Sequence, residues 1–290
     1  MKIKLWKIIY AFFRIPLFEQ ILQYLVSGKY SDSFAVRLVP PFYTYPNPTN
    51  RVAKKNRLRL QANLNDYNDW KAFWGILEYE RENLYKLATG TKIVIDVGSN
   101  NGWVLMNIAA IITKNGGFVY GFEPFPETYK RCIKNIEYSN LTNTQVVNMG
   151  CGEVESLLQM QVVTENNSGQ NRIVENDSKH YATVPVKVTT LDNQFGHVGK
   201  VDLIKIDVEG FELHVVKGAQ AILAKNKPVV FIEINDPLLK ANNTTPWEVL
   251  NFLENNFQYT FCNALNNRPI SKGQNFDNCQ LDIICYPPAK

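Results

Sequence analysis

The sequence is poor in the residues that build metal and disulfide frameworks. Its 290 residues hold five cysteines and three histidines. Cys132, Cys151, Cys262, Cys279 and Cys285 are odd in number and widely spaced, with no Cys-x-x-Cys or paired Cys/His pattern. That pattern speaks against a zinc site and against a disulfide-stapled scaffold, and leads us to expect reduced thiols in a cytoplasmic protein. Long apolar runs are missing too. The longest uncharged stretch of segment 1–28 is nine residues, 20–28, against the ~20 that a spanning helix needs. The apolar run 8–13 is short for a signal peptide, and no small-residue cleavage site follows it. There is no triphosphate-binding G-x-x-x-x-G-K-[ST], no internal repeat and no low-complexity tract. A hydrophobic share of 45% with 20% charge excludes wholesale disorder and collagen-like or coiled-coil designs.

Acids are scarce at one end of the chain. Residues 1–60 contain eleven Lys/Arg but only Glu19 and Asp32, a local charge of +9. The whole chain is +4, so residues 61–290 carry −5.

What is present divides near residue 90. Residues 2–27 are helix-compatible, with Pro16 expected to kink or split them. Segment 39–50 holds four prolines and reads as a loop. Residues 51–64 read as two strands about a Lys55-Asn56 turn, and 65–87 as one helix. From residue 91, apolar runs alternate with helical stretches. Strands are expected at 93–97, 118–122, 144–148, 184–189, 203–207 and 229–234, with a closing antiparallel pair at 259–264 and 281–286. Helices are expected at 103–113, 126–138, 212–224 and 245–255. Continuous apolar strands alternating with helices imply a parallel sheet covered on both faces. The expected fold is α/β: a doubly wound, mostly parallel seven-stranded sheet with a closing antiparallel strand. A helical and hairpin accessory region, 1–89, precedes this domain, 90–290.

The most informative segment is Asp96-Val97-Gly98-Ser99-Asn100-Asn101-Gly102, where a buried strand ends in a two-glycine turn before a helix. Gly98 permits the tight turn, Gly102 lets the helix start close to the strand, and the free N–H groups suit an acceptor-rich ligand. The next strand ends at Glu123-Pro124, and Glu123 lies 21 residues after Gly102. A doubly wound fold places there the acid that grips ribose hydroxyls. G-x-x-x-G lacks the glycine that lets a pyrophosphate approach, so a nucleoside without a phosphate tail fits best. Asp96 could then hold an amino group.

D-V-G-S-N-N-G (96–102) resembles the first motif of class I S-adenosylmethionine (SAM) methyltransferases. Together with Phe122-Glu123-Pro124, Thr190-Leu191-Asp192 and K-I-D-V-E-G-F-E (205–212) it resembles the FkbM methyltransferases. Val146-Val147-Asn148, Asn167-Ser168-Gly169 and Phe231-Ile232-Glu233-Ile234 add to the likeness, which covers roughly 90–286. The resemblance implies O-methylation of hydroxyls on sugars, polyketides and related molecules. It also implies that the 98–102 turn and Glu123 hold SAM and that residues near Asn148 and Gly150 border the adenine. Met149-Gly150-Cys151 departs from the small residue expected after the Asn.

Asp207 ends its strand on the edge where such folds bind ligands. Methylating a hydroxyl requires its proton to be removed as the bond forms. Asp207 is the first candidate for that base and Glu209 the second. Asp207 could instead contact only the methionine half of SAM. Of the histidines, only His180 falls in an expected site loop, beside the polar segment 165–179 that could cover the acceptor, and it is the third catalytic candidate, while His214 is expected on the helix after the motif. Lys205 and Glu233 interrupt apolar runs and are expected to pair with each other, as a structural salt bridge or a catalytic pair. Asp207, Glu209, Glu233 and Asp236 offer oxygen ligands for Mg²⁺, but their spacing is not diagnostic of a metal.

The basic start of the chain, Lys2, Lys4, Lys7 and Arg14 among aromatics and aliphatics, fits two readings. One is a helix on an anionic membrane surface. The other is a helix packed on the catalytic domain or across a homodimer interface. No RNA-binding signature appears, nor an N/D-P-P-Y/F motif after the fourth strand, so nucleic acid is not the expected partner. An NAD-dependent oxidoreductase and a non-catalytic module on the same fold are the competing functions. The glycine spacing opposes the first, and the joint presence of the glycine turn, Glu123 and Asp207 opposes the second.

Overall fold

A computed structural model describes residues 8–162, 169, 171–174, 182–196 and 199–289. Residues 8–12 are helical, and α1 (Pro16–Val26) follows with Pro16 in its first turn, where a missing N–H costs nothing. The hairpin of β1 (Asn50–Lys55) and β2 (Leu58–Asn63) pairs Lys55 with Leu58 around Asn56. The single helix expected over 65–87 is two. Asp66 caps α2 (Tyr67–Trp74) by accepting from the N–H groups of Asn68 and Asp69. The chain breaks at Gly75, and α3 (Tyr79–Ala88) begins four residues later.

The alternating region then runs β3 (Ile93–Val97), α4 (Trp103–Ile112), β4 (Phe118–Phe122), α5 (Pro126–Tyr138) and β5 (Thr144–Val147). A four-stranded sheet is inserted next: β6 (Gly150–Cys151), β7 (Ser156–Gln161), β8 (Arg172–Val174) and β9 (Thr183–Thr189), in the order β6-β9-β7-β8. α6 (Leu191–Phe195) leads to β10 (Leu203–Ile206). The helix expected over 212–224 is divided into α7 (Glu212–Lys217) and α8 (Gln220–Asn226). β11 (Val229–Asn235), α9 (Asp236–Ala241), α10 (Pro246–Phe257), β12 (Thr260–Asn263) and β13 (Gln280–Tyr286) complete the chain. Thr245 caps α10 by accepting from the Glu248 N–H.

The main sheet has seven strands in the order β12-β13-β11-β10-β3-β4-β5. The β5, β4, β3, β10 and β11 neighbours are parallel, and β13 is antiparallel to both β11 and β12. Successive side chains alternate between its two faces. Ile95, Val97, Ile204, Ile206, Ile232 and Ile283 enter one apolar cluster with α7, α8 and α10. Val94, Leu203, Phe231 and Ile284 point the other way, into a cluster that also holds Leu22, Leu60, Trp74 and Leu84 of the N-terminal region. The accessory segment therefore completes the core on one face of the sheet.

That second face changes character toward the carboxyl ends of its strands. Val94 gives way to Asp96, Leu203 to Lys205, Phe231 to Glu233, and on the antiparallel strand Ile284 to Asp282. The apolar floor becomes polar under the accessory helices, and the cavity opens there.

Candidate active site

The 98–102 turn is fixed from several sides. Gly98 has φ +82, and a Cβ there would lie 1.8 Å from the backbone oxygen of Asp207. Gly102 has φ +84 and abuts the Cys132 sulfur. Both positions exclude a side chain, so β3 and the segment after β10 approach closely. Ser99 Oγ donates to the Asp96 carbonyl at 3.0 Å. The Asn100 N–H donates to Glu123 Oε2 at 2.8 Å, and the Phe125 N–H to Glu123 Oε1 at 3.0 Å. Each oxygen keeps a lone pair for a further donor. Burial nevertheless pushes the Glu123 carboxyl up to about 7, against the two backbone hydrogen bonds and the charge of Lys205.

Asn101 turns away from the turn it belongs to. Its Nδ2 donates to Asp69 Oδ1 at 2.6 Å, and Arg131 donates to the other oxygen of Asp69. Asp69 is fully buried, and burial raises its carboxyl to about 6 although Arg131 pulls it down. This network ties α2 to the glycine turn and to α5.

Lys205 does not pair with Glu233. Register decides this: Lys205 lies opposite Asp96 on one side and Phe231 on the other, which leaves Glu233 one pleat higher. Lys205 Nζ is 3.1 Å from Asp96, 3.3 Å from Asp207 and 2.9 Å from the Gly98 carbonyl. Burial alone would lower its ammonium, but Asp207 and Asp96 outweigh that and hold it above the ordinary lysine value. Glu233 instead accepts from Gln280 at 2.8 Å and sits directly opposite Asp282.

Asp207, Glu209 and Glu233 present carboxylate oxygens that all lie within 4.8 Å of one another. Burial and the nearby Asp207 charge raise both Glu209 and Glu233. Asp282 is pushed up to about 7 by burial and by Asp207. Glu209 adopts φ +56, a left-handed conformation that costs about 1 kcal/mol for a residue with a side chain.

These groups line one cavity of about 540 Å³, within the usual size range for a small-molecule site. Gly98, Ser99, Asn100, Asn101, Glu123, Pro124, Gly150, Asp207 and Glu209 reach it, whereas Asp96, Gly102 and Asn148 stand behind it. Asn148 donates to the carbonyls of Glu123 and Pro124, at 2.8 and 3.0 Å, and so shapes the turn that carries the acid. His180 lies outside the described residues. His214 is on α7, stacked on Phe211.

A model of the methyltransferase FkbM domain matches residues 96–261, more than half of the chain. The chain belongs to the FkbM methyltransferase family. An FkbM methyltransferase structure from Methylobacillus flagellatus KT is 17% identical over 68% of this chain, with a TM-score of 0.44. This chain spans 44% of that one, less than half its length. An rRNA methylase from Streptococcus thermophilus is 12% identical, with 71% of this chain and 93% of that one covered and a TM-score of 0.41. M. jannaschii TYW2 in complex with AdoMet is 13% identical, with 84% and 87% covered and a TM-score of 0.41. No curated protein matches the chain.

In this FkbM-family chain the accessory region supplies the opposite wall of the cavity, which sequence reasoning missed. Tyr67, Lys71, Glu78, Arg81 and Tyr85 line it. Glu78 bridges Lys71 and Arg81, both at 2.6 Å. Burial opposes its charge, but Arg81 and Lys71 hold it below the ordinary carboxylate range. The run E-Y-E-R-E reads as a solvated helix face, so nothing local marks it. Asp282 was findable, since it interrupts an apolar strand as Lys205 and Glu233 do.

Proposed function

We propose that the chain is a SAM-dependent methyltransferase that methylates a hydroxyl of a sugar, a glycan or another small metabolite. The observation that carries this reading is a convergence on one cavity. The backbone of 98–101, the Glu123 carboxylate and the acidic cluster of Asp207, Glu209 and Glu233 all reach it.

The residues present fit the cofactor. Glu123 can accept from both hydroxyls of a ribose through its remaining lone pairs. Gly98, where a Cβ would strike the Asp207 carbonyl, lets the turn lie close against the end of β10, bringing Asp207 beside it. When bound, SAM supplies an electrophilic methyl on a cationic sulfur. The acidic cluster offers negative charge to such a cation and a proton acceptor to the attacking hydroxyl. Asp207, with its side chain 35% exposed, remains the first candidate base. Lys205 holds it in place from below. Tyr67 and Tyr85 supply aromatic surface for the acceptor on the opposite wall.

Calorimetry with SAM and with S-adenosylhomocysteine (SAH) tests cofactor binding, and absence of heat with both sinks the reading. Transfer of labelled methyl from SAM across hydroxylated glycans and glycolipid precursors then identifies the acceptor.

One observation favours a second reading of the acidic cluster. Its three carboxylates converge closely enough to share an oxygen-liganded divalent cation such as Mg²⁺, which would position and acidify the hydroxyl. Loss of transfer on EDTA treatment, restored by Mg²⁺, would establish it. Indifference to EDTA leaves Asp207 as the base.

A further inference from the structure

A helix that packs one side on a protein normally turns a charged side to water. α1 does not. Its inner side buries Leu22 and Val26 in the core, along with its one charge, Glu19, which pairs with Arg51 at 2.7 Å. Its outer side carries Leu17, Ile21, Tyr24 and Leu25, each 49% to 85% exposed, with Gln20 the polar residue among them. Ile8 and Phe12 extend the exposed apolar surface backward.

Cations flank this face: Arg14 precedes α1, Lys29 follows it, and Lys54 lines a groove beside Gln20 and Tyr24. Residues 1–60 sum to +9, and with Glu19 buried and paired, Asp32 is the only other acid in that stretch. A second copy of the chain docking there face to face would bring like charge against like charge. An anionic lipid surface is complementary on both counts, since its interior takes the apolar side chains and its headgroups the cations.

We propose that the outward face of α1 seats the protein on an anionic lipid bilayer, with the helix flat in the interface. No helix among the described residues is long and apolar enough to cross a membrane, so the contact is peripheral. Ser27 and Gly28, immediately after α1, line the rim of the cavity. Docking therefore places the cavity mouth beside the headgroup layer.

The test is flotation of the full chain with vesicles of equal parts phosphatidylcholine and phosphatidylglycerol, and with phosphatidylcholine alone. The expected result is flotation with the anionic vesicles that declines with added salt. Replacing Leu17→Glu and Ile21→Glu together should reduce bound protein by about tenfold or more. Both positions are exposed, and unchanged circular dichroism and thermal midpoint would verify the fold. Failure of the wild-type chain to float overturns the proposal, as does flotation that the double variant leaves intact. A dimer in sedimentation velocity that the double variant abolishes, with no vesicle binding, would overturn it too and assign the face to a second copy.

Discussion

Glu123 carries two duties, since the same oxygens that face the cavity also hold the N–H groups of Asn100 and Phe125. Glu123→Ala should weaken SAH binding by roughly 10- to 100-fold in calorimetry, because it removes an acceptor pair and leaves two backbone donors unpaired. Lys205→Met leaves Asp96 buried with no cation beside it. The expected loss is about 3–5 kcal/mol in denaturant unfolding, and a loss below 1 kcal/mol would contradict the assigned pairing. The raised carboxyls add a dependence on pH. Asp69 stands at about 6, and Glu123, Glu212 and Asp282 at about 7. Between the ordinary carboxylate value and these, the folded chain keeps protons that the unfolded chain has released. The stability they contribute is complete below about pH 4.5 and is lost as pH rises through about 7. Groups held low, such as Glu78 and Asp202, act below that window. The thermal midpoint of the unliganded protein should therefore fall from about pH 5 to about pH 8, and Glu212→Gln should flatten the fall.

Among elements, the β3–turn–α4 unit and the end of β4 were legible because their chemistry is local. A strand, two glycines and an acid at a fixed distance suffice. Pairing across the sheet was not, because Lys205 has a neighbour strand on each side and a two-residue difference in register decides its partner. The small sheet of β6 to β9 escaped notice except for β9: β6 and β8 have only two and three residues, and β7 mixes exposed and half-buried positions. The breaks at Gly75 and between α7 and α8 were hidden by helix-compatible composition on either side. Least legible was the contribution of α2, which reaches the glycine turn through Asp69 and Asn101. Arg131→Met should expose that link. With the Arg131 side chain 35% exposed, the expected cost is about 2 kcal/mol, accompanied by weaker SAH binding as the turn loses its brace. Lower stability with unchanged affinity would confine Asp69 to the folding of the accessory region.

At the scale of the whole molecule, the accessory region and the sheet face each other across the cavity, but they do not form two separate cores. Leu22, Trp74 and Leu84 share one cluster with Leu105, Ile108 and Val119. Scanning calorimetry should accordingly give a single transition, with calorimetric and van't Hoff enthalpies in agreement. Two resolved peaks would show that the accessory region melts by itself. The shared core also limits how such a protein changes over time. The cavity wall built by α2 and α3 cannot be exchanged as a cassette, because a transplanted N-terminal segment would have to fit the underside of a foreign sheet. Reshaping it is then a matter of single substitutions on the cavity side of α2 and α3, with the apolar side of both helices held fixed against the sheet.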